Sequence, residues 1–159
     1  MPPNPRIIHR REDVAARAQR EFDLLDAAVA LLRPEDWARP VLRPETRAPW
    51  TVKDALAHVT YWKEHHVRAM RRERQPPWGD VEARNRTVYE LWRNRPPEDV
   101  VAYHRAVHAD AMRAIAEAPD AWFTGRPRAP QWPADLVGHV AEHRGRDIER
   151  TLGQPPARG

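Results

Sequence analysis

The chain has 159 residues, 27 basic and 23 acidic side chains, a formal net charge of +4 and no cysteine. This length is enough for one domain with a real core, and the lack of cysteine excludes disulfides, iron–sulfur clusters and thiolate catalysis. No apolar run approaches the roughly 18 residues of a membrane-spanning helix, and the N-terminus lacks the apolar stretch of a signal peptide. We therefore expect a soluble cytoplasmic protein.

The basic charge comes almost entirely from arginine, because Lys53 and Lys63 are the only lysines. A sequence pI of about 10.1 is compatible with nucleic-acid binding. However, acidic residues are interspersed with the arginines, and no long block of like charges occurs. The charges are read as a solvated, arginine-rich surface, and we expect no nucleic-acid partner.

Prolines divide the chain into runs with helical periodicity, and no alternating strand pattern of useful length is present. Helices are predicted over 12–33, 51–74, 81–93, 98–118 and 133–152, with a loop over 119–133. Thr51 and Asp54 form a variant capping box at the second start, and Gly153 suits the last C-cap. Residues 154–159 are predicted to be a disordered tail.

These four long helices and one short one predict an all-α fold, an up-down four-helix bundle with one additional short helix. No internal repeat or second domain is evident, so residues 1–153 are predicted to form a single domain. In such bundles, metal and cofactor sites are built from inward-pointing side chains on facing helices.

Histidines supply the strongest chemical signal. His139 and His143 stand four residues apart in the segment HVAEHRGR, which places both imidazoles on one helix face about one turn apart. His58 lies in WTVKDALAHVTYW of the second helix. Three neutral imidazoles from two helices would hold a divalent metal and leave positions for water or substrate. The alternative is that these are boundary histidines with ordinary hydrogen bonds.

Four further residues are predicted to support this site or line a pocket beside it. Asp147, one turn beyond the paired histidines, is placed to fix an imidazole. Trp62 and His65 lie on the same edge of the second helix as its histidine. His104 belongs to a second pair with His108, and is either a buried, hydrogen-bonded residue or a pocket residue. If the first three histidines bind no metal, this second pair is the next candidate.

Two segments resemble the signatures of the DinB-like superfamily: APWTVKDALAHVTYW its second helix, and HVAEHRGR its last. The run EARNRTVYELWRNRPPEDVVAYHRAVHADAM resembles the middle of the ClbS/DfsB branch, and the resemblance covers about residues 12 to 152. It implies a bundle, often dimeric, that holds a divalent metal (Zn, Ni, Fe or Mn) on His58, His139 and His143. Arg146 departs from the last signature, in which a glutamine follows the glycine.

The resemblance implies a metal-dependent enzyme of detoxification or stress type. It would be a thiol S-transferase or a hydrolase that acts on a small electrophilic molecule, in the first case with a low-molecular-weight thiol as co-substrate. A metal with open positions supplies the nucleophile in such sites, so no catalytic side chain is assigned. The alternative is a non-catalytic bundle that binds a small molecule or protects the cell without turnover. A homodimer is expected in either case.

Overall fold

The structure, a computed structural model, describes residues 10–42, 47–77, 79–123 and 134–153. The predicted tail at 154–159 and the predicted start of the last helix at Pro133 lie outside these ranges. Within them there is no strand, and the only β-type pairing is an isolated bridge between Pro40 and Thr51. The predicted all-α bundle is therefore confirmed.

Five helices precede the C-terminal segment: α1 (Arg11–Ala30), α2 (Val52–Met70), α3 (Val81–Trp92), α4 (Pro97–Glu117) and the short α5 (Asp120–Phe123). A 3₁₀ turn (Pro34–Ala38) follows α1. The C-terminal helical segment runs over 134–153 as four consecutive pieces: a π-helical stretch (Ala134–Gly138), α6 (His139–His143), a second π-helical stretch (Arg144–Glu149) and α7 (Arg150–Gly153).

Two predicted features need correction. The predicted 119–133 loop contains the helix α5, which buries Trp122 and Phe123; four residues are too few to show a helical period. The predicted last helix is interrupted by π-helical stretches on both sides of α6, which sequence periodicity does not distinguish from α-helix. The other helix ends shift by a few residues, as expected for frayed termini.

The helices pack around α2, which lies against α4, α3 and the C-terminal segment. α1 closes the bundle by packing on α4 and on the same segment. The core consists of two clusters of buried apolar side chains, one around Val14, Val67 and Ile115 and the other around Leu25, Leu56 and Val140. No helix in the described ranges combines the length and apolar character needed to cross a bilayer.

A candidate three-histidine metal centre

The capping box at the start of α2 positions the first histidine. Thr51 donates its backbone N–H and its hydroxyl to Asp54 Oδ2, both at 2.9 Å, and its Oγ1 accepts the backbone N–H of Asp54. This reciprocal pairing satisfies N–H groups that a helix start otherwise leaves without partners. α2 therefore begins at a defined residue, and His58 follows on its buried face, where only 2% of the residue is exposed.

The three predicted histidines converge. Their candidate ligand nitrogens all lie within 4.8 Å of one another. His58 Nε2 lies 3.2 Å from His139 Nε2, and His143 Nε2 lies 3.1 Å from the same atom. The rings meet edge to face rather than stacked, with centroids 4.7–5.0 Å apart. The i,i+4 pair of α6 and the single histidine of α2 thus direct three Nε2 atoms at one point.

Burial keeps the His58 imidazole in the neutral form. It lowers the pKa of His58 from 6.5 to about 2, and His143, His139 and Arg146 lower it further through their positive charge. Trp50, itself buried, packs against the ring with centroids 4.7 Å apart. Neutral imidazole is the form that binds a metal, so the donor set fits a divalent transition-metal ion.

Asp147 lies where the sequence pattern predicts it, beside the histidine pair. Its Oδ2 is 2.7 Å from His143 Nδ1, and both side chains are almost completely buried. When the carboxylate accepts a hydrogen bond from Nδ1–H, the Nε2 lone pair of His143 points toward the other two rings. A carboxylate in this arrangement fixes the tautomer and orientation of a metal-binding histidine.

Trp62 and His65 lie further along α2 and contact α3. The indole Nε1 of Trp62 donates to Asn85 Oδ1 at 2.7 Å, and His65 Nε2 lies 3.4 Å from an Arg84 nitrogen. His65 lines a cavity of about 170 Å³ together with Tyr61, and neither His65 nor Trp62 belongs to the three-histidine group.

His104 and His108 lie in a separate cluster between α1, α2 and α4. Phe22 stacks on both rings, with the His108 centroid at 3.8 Å and the His104 centroid at 4.9 Å. His104 Nε2 is 3.3 Å from Asp26 Oδ1, and His108 Nε2 is 3.0 Å from Gln19 Oε1. Both residues are buried. His104 is therefore buried beside Asp26 and does not belong to the three-histidine group.

Sequence reasoning missed one buried charge in this second cluster. Lys63 is 4% exposed, and its Nζ lies 2.9 Å from His108 Nδ1. Burial lowers the pKa of Lys63 from 10.5 to about 8. The sequence did carry a signal, because Lys63 stands four residues from both Val59 and Val67, which are core residues of α2.

A larger cavity, of about 410 Å³, lies at the α2 start and not at the histidines. Trp37, Thr51, Asp54, Tyr89 and Arg93 line it, among others. It is within the usual size range of small-molecule sites, about 300–1,000 Å³. His58 lies one turn after Asp54 on the same helix, so the cavity and the centre are neighbours along α2.

A family model described as the mycothiol maleylpyruvate isomerase N-terminal domain matches residues 18–149. Because the match spans most of the chain, the protein belongs to this family, which is part of the DinB-like superfamily. The resemblance seen in the two histidine segments is thereby confirmed. No curated protein matches the sequence.

Two solved structures have a similar fold. One is the colibactin self-resistance protein ClbS in complex with a dsDNA, with a TM-score of 0.71, 13% identity, and coverage of 91% of this chain and 96% of that one. Another is an uncharacterised protein from Escherichia coli UTI89, with a TM-score of 0.69, 14% identity, and coverage of 90% and 92%. At these identities the likeness concerns the fold.

The expectation that excluded a nucleic-acid partner is wrong, because ClbS has this fold and its structure contains a dsDNA. Interspersed charge is a poor ground for exclusion, since positive charge can be concentrated in one part of a chain without a block of like charges. In this chain, residues 68–95 hold eight arginines and four acidic residues, a net charge of +4 that equals the charge of the whole chain.

Proposed function

We propose that this protein is a metal-dependent enzyme of the DinB-like superfamily that acts on a small electrophilic molecule. It would either transfer the electrophile to a low-molecular-weight thiol or hydrolyse it. The observation that carries the proposal is the convergence of His58, His139 and His143 on one point. When bound there, a divalent metal lowers the pKa of water or of a thiol and so supplies a nucleophile near neutral pH.

The chain's own residues have separate tasks in this proposal. The three histidines would hold the metal through Nε2. Asp147 holds His143 through a contact with its Nδ1, and Trp50 covers the ring of His58. His139 is partly exposed, whereas the other two histidines are buried, so the side of the centre nearest His139 would admit the substrate.

Metal stoichiometry in single variants tests the proposal. The chain should be purified without a nickel column and compared with His58→Ala and His143→Ala, with far-ultraviolet circular dichroism as the folding control. We expect the wild type to hold about one divalent ion and both variants to lose it while they keep their helical signal. Full metal content in both variants would rule out these ligands. Unfolding of both would identify a structural metal and remove the main support for catalysis.

A second candidate is a non-catalytic protective bundle that binds duplex DNA. ClbS, which has the same fold, is a self-resistance protein seen in complex with a dsDNA, and residues 68–95 of this chain carry concentrated positive charge. Arg72, Arg74 and Arg86 within this segment are exposed. Exposed arginines on a surface with excess positive charge are the usual contacts to phosphate.

Anisotropy of a labelled duplex, measured at several salt concentrations, tests this candidate. Replacing Arg72, Arg74 and Arg86 by glutamine should weaken binding by about tenfold or more and reduce its salt dependence. The matched control replaces Arg20, Arg113 and Arg150, which are exposed elsewhere, and should change binding little. An equal loss of affinity in both triple variants would show that only the net charge of the protein matters. If the wild type does not bind the duplex, the candidate function is ruled out.

A further inference from the structure

Arg146 contacts the candidate centre from the side of Asp147. Its Nη2 lies 3.2 Å from His143 Nδ1, and its Nε lies 3.4 Å from Asp147 Oδ1. A third contact, from Nη1 to Glu142 Oε1 at 3.2 Å, holds the guanidinium in place. About a quarter of the side chain is exposed. The signature that HVAEHRGR resembles has a neutral glutamine at this position.

The two groups beside His143 Nδ1 favour opposite protonation states of this nitrogen. Asp147 Oδ2, at 2.7 Å, can only accept a hydrogen bond from this nitrogen. The Arg146 guanidinium can only donate a hydrogen bond to it. If Asp147 prevails, Nδ1 carries the proton and Nε2 keeps the lone pair that a metal needs. If Arg146 prevails, the proton moves to Nε2, which then faces His139 Nε2 at 3.1 Å.

The charge of Arg146 acts in the same direction as its hydrogen bond. Its Nε lies near the second oxygen of Asp147 and offsets the negative charge that would otherwise strengthen His143 as a ligand. The guanidinium is also close enough to His58 to disfavour positive charge on that ring. A permanent cation beside a group of imidazoles repels any further cation placed among them, and the partial burial limits screening.

We propose that Arg146 is a positioning residue that weakens metal binding by the three-histidine centre, through the tautomer of His143 and the charge of Asp147. This inference rests on the proposed metal-binding function. It implies a centre that loads and releases its ion more readily than the same three histidines beside a neutral side chain.

Competition with a chromophoric chelator for Zn²⁺ measures the effect. Arg146→Gln should bind Zn²⁺ about tenfold more tightly than the wild type, the low end of the effects seen when groups behind metal ligands are changed. Arg146→Lys keeps the charge without the planar fork and should fall between the two. The matched control is Arg144→Gln, because Arg144 pairs with Glu21 and Glu149 rather than with the centre. Unchanged or weaker Zn²⁺ binding by Arg146→Gln would overturn the proposal.

A second measurement separates this inference from the proposed function. Nitrogen-15 spectra of the metal-free histidines report which ring nitrogen carries the proton, and Arg146→Gln should shift His143 toward the Nδ1–H form. If the wild type binds no Zn²⁺, the proposed function fails, and these spectra still decide the role of Arg146. An unchanged His143 tautomer in that case would overturn it.

Discussion

The amine of Lys63 is buried inside the bundle, where few groups accept hydrogen bonds from it. Its Nζ contacts His108 Nδ1 and lies 5.6 Å from the centre of the Phe22 ring. A charged ammonium has three protons to donate and loses its hydration on burial. Burial therefore lowers the pKa of Lys63 to about 8. The same cause lowers the pKa of His104 to about 4 and that of His108 to about 3, so both imidazoles beside Lys63 are neutral at pH 7.

This lowered pKa predicts that stability rises with pH in the alkaline range. Between about pH 8 and 10 the unfolded chain keeps a proton on Lys63 that the folded protein has released, so the free energy of unfolding increases. The stabilisation is complete above the unfolded value of 10.5 and is lost as pH falls through the folded value of about 8. The rise should be on the order of 2 kcal/mol, measured by chemical denaturation at each pH.

Lys63→Met should flatten this dependence, because methionine does not titrate. Arg113→Gln, a change at an exposed site, should leave the dependence intact. The comparison ends near pH 10. Burial and Glu64 raise the pKa of Tyr103, so at higher pH this phenol ionises in the unfolded chain but not in the folded protein. The free energy of unfolding then falls. A Lys63→Met protein with the same slope as the wild type would contradict the prediction.

The helices show which features sequence periodicity can and cannot predict. Thr51 and Asp54 act over three residues, so the start of α2 was predictable from the chain alone. The pairing of His139 with His143 was predictable for the same reason, since both lie within one α-helical turn. The approach of His58 to that pair depends on how α2 packs against the C-terminal segment, which only the family resemblance indicated. The π-helical stretches are too short for a hydrophobic periodicity of their own to be seen in the sequence.

The end of α2 carries backbone strain. Arg72 N–H donates to Ala69 O at 3.1 Å and Glu73 N–H to Arg68 O at 3.0 Å, which is the Schellman pattern. The first residue after the C-cap takes a left-handed conformation in this pattern, and here it is Arg72, with a φ of 56°. Glycine is usual at this position, because a side chain there costs about 1–2 kcal/mol.

Arg72→Gly should therefore stabilise the fold and weaken the proposed binding of duplex DNA. Glycine removes the left-handed strain in the folded protein but raises the conformational entropy of the unfolded chain. The net gain in the free energy of unfolding is about 0.5–1 kcal/mol. Arg72→Ala removes the same charge but keeps the strain, so it should give no gain. Thermal and urea unfolding measure the first effect, and duplex anisotropy the second. Equal stability of the glycine and alanine variants would contradict the backbone explanation.

At the scale of the whole molecule, α1 and its C-cap residue Leu31 expose an apolar strip that we expect a second copy of the chain to cover. Leu24 and Leu31 are 40% and 69% exposed. They are seven residues apart, a spacing that places both side chains on one side of the helix. Ala27 lies between them and is also exposed. A two-fold axis beside this strip would bring α1 against its copy, because the same patch serves both partners in an isologous dimer.

We expect the protein to be a homodimer at micromolar concentration, with this strip of α1 in the interface. Light scattering should give twice the chain mass for the wild type and the mass of one chain for a Leu24→Lys, Leu31→Lys variant, since two buried ammonium groups per chain would face each other across the axis. Val81→Lys with Leu91→Lys is the control, because those side chains are 61% and 55% exposed on α3 and lie away from the strip. A monomeric wild type would contradict the predicted dimer. If the α1 variant remains dimeric and the α3 variant does not, the interface lies on α3 instead.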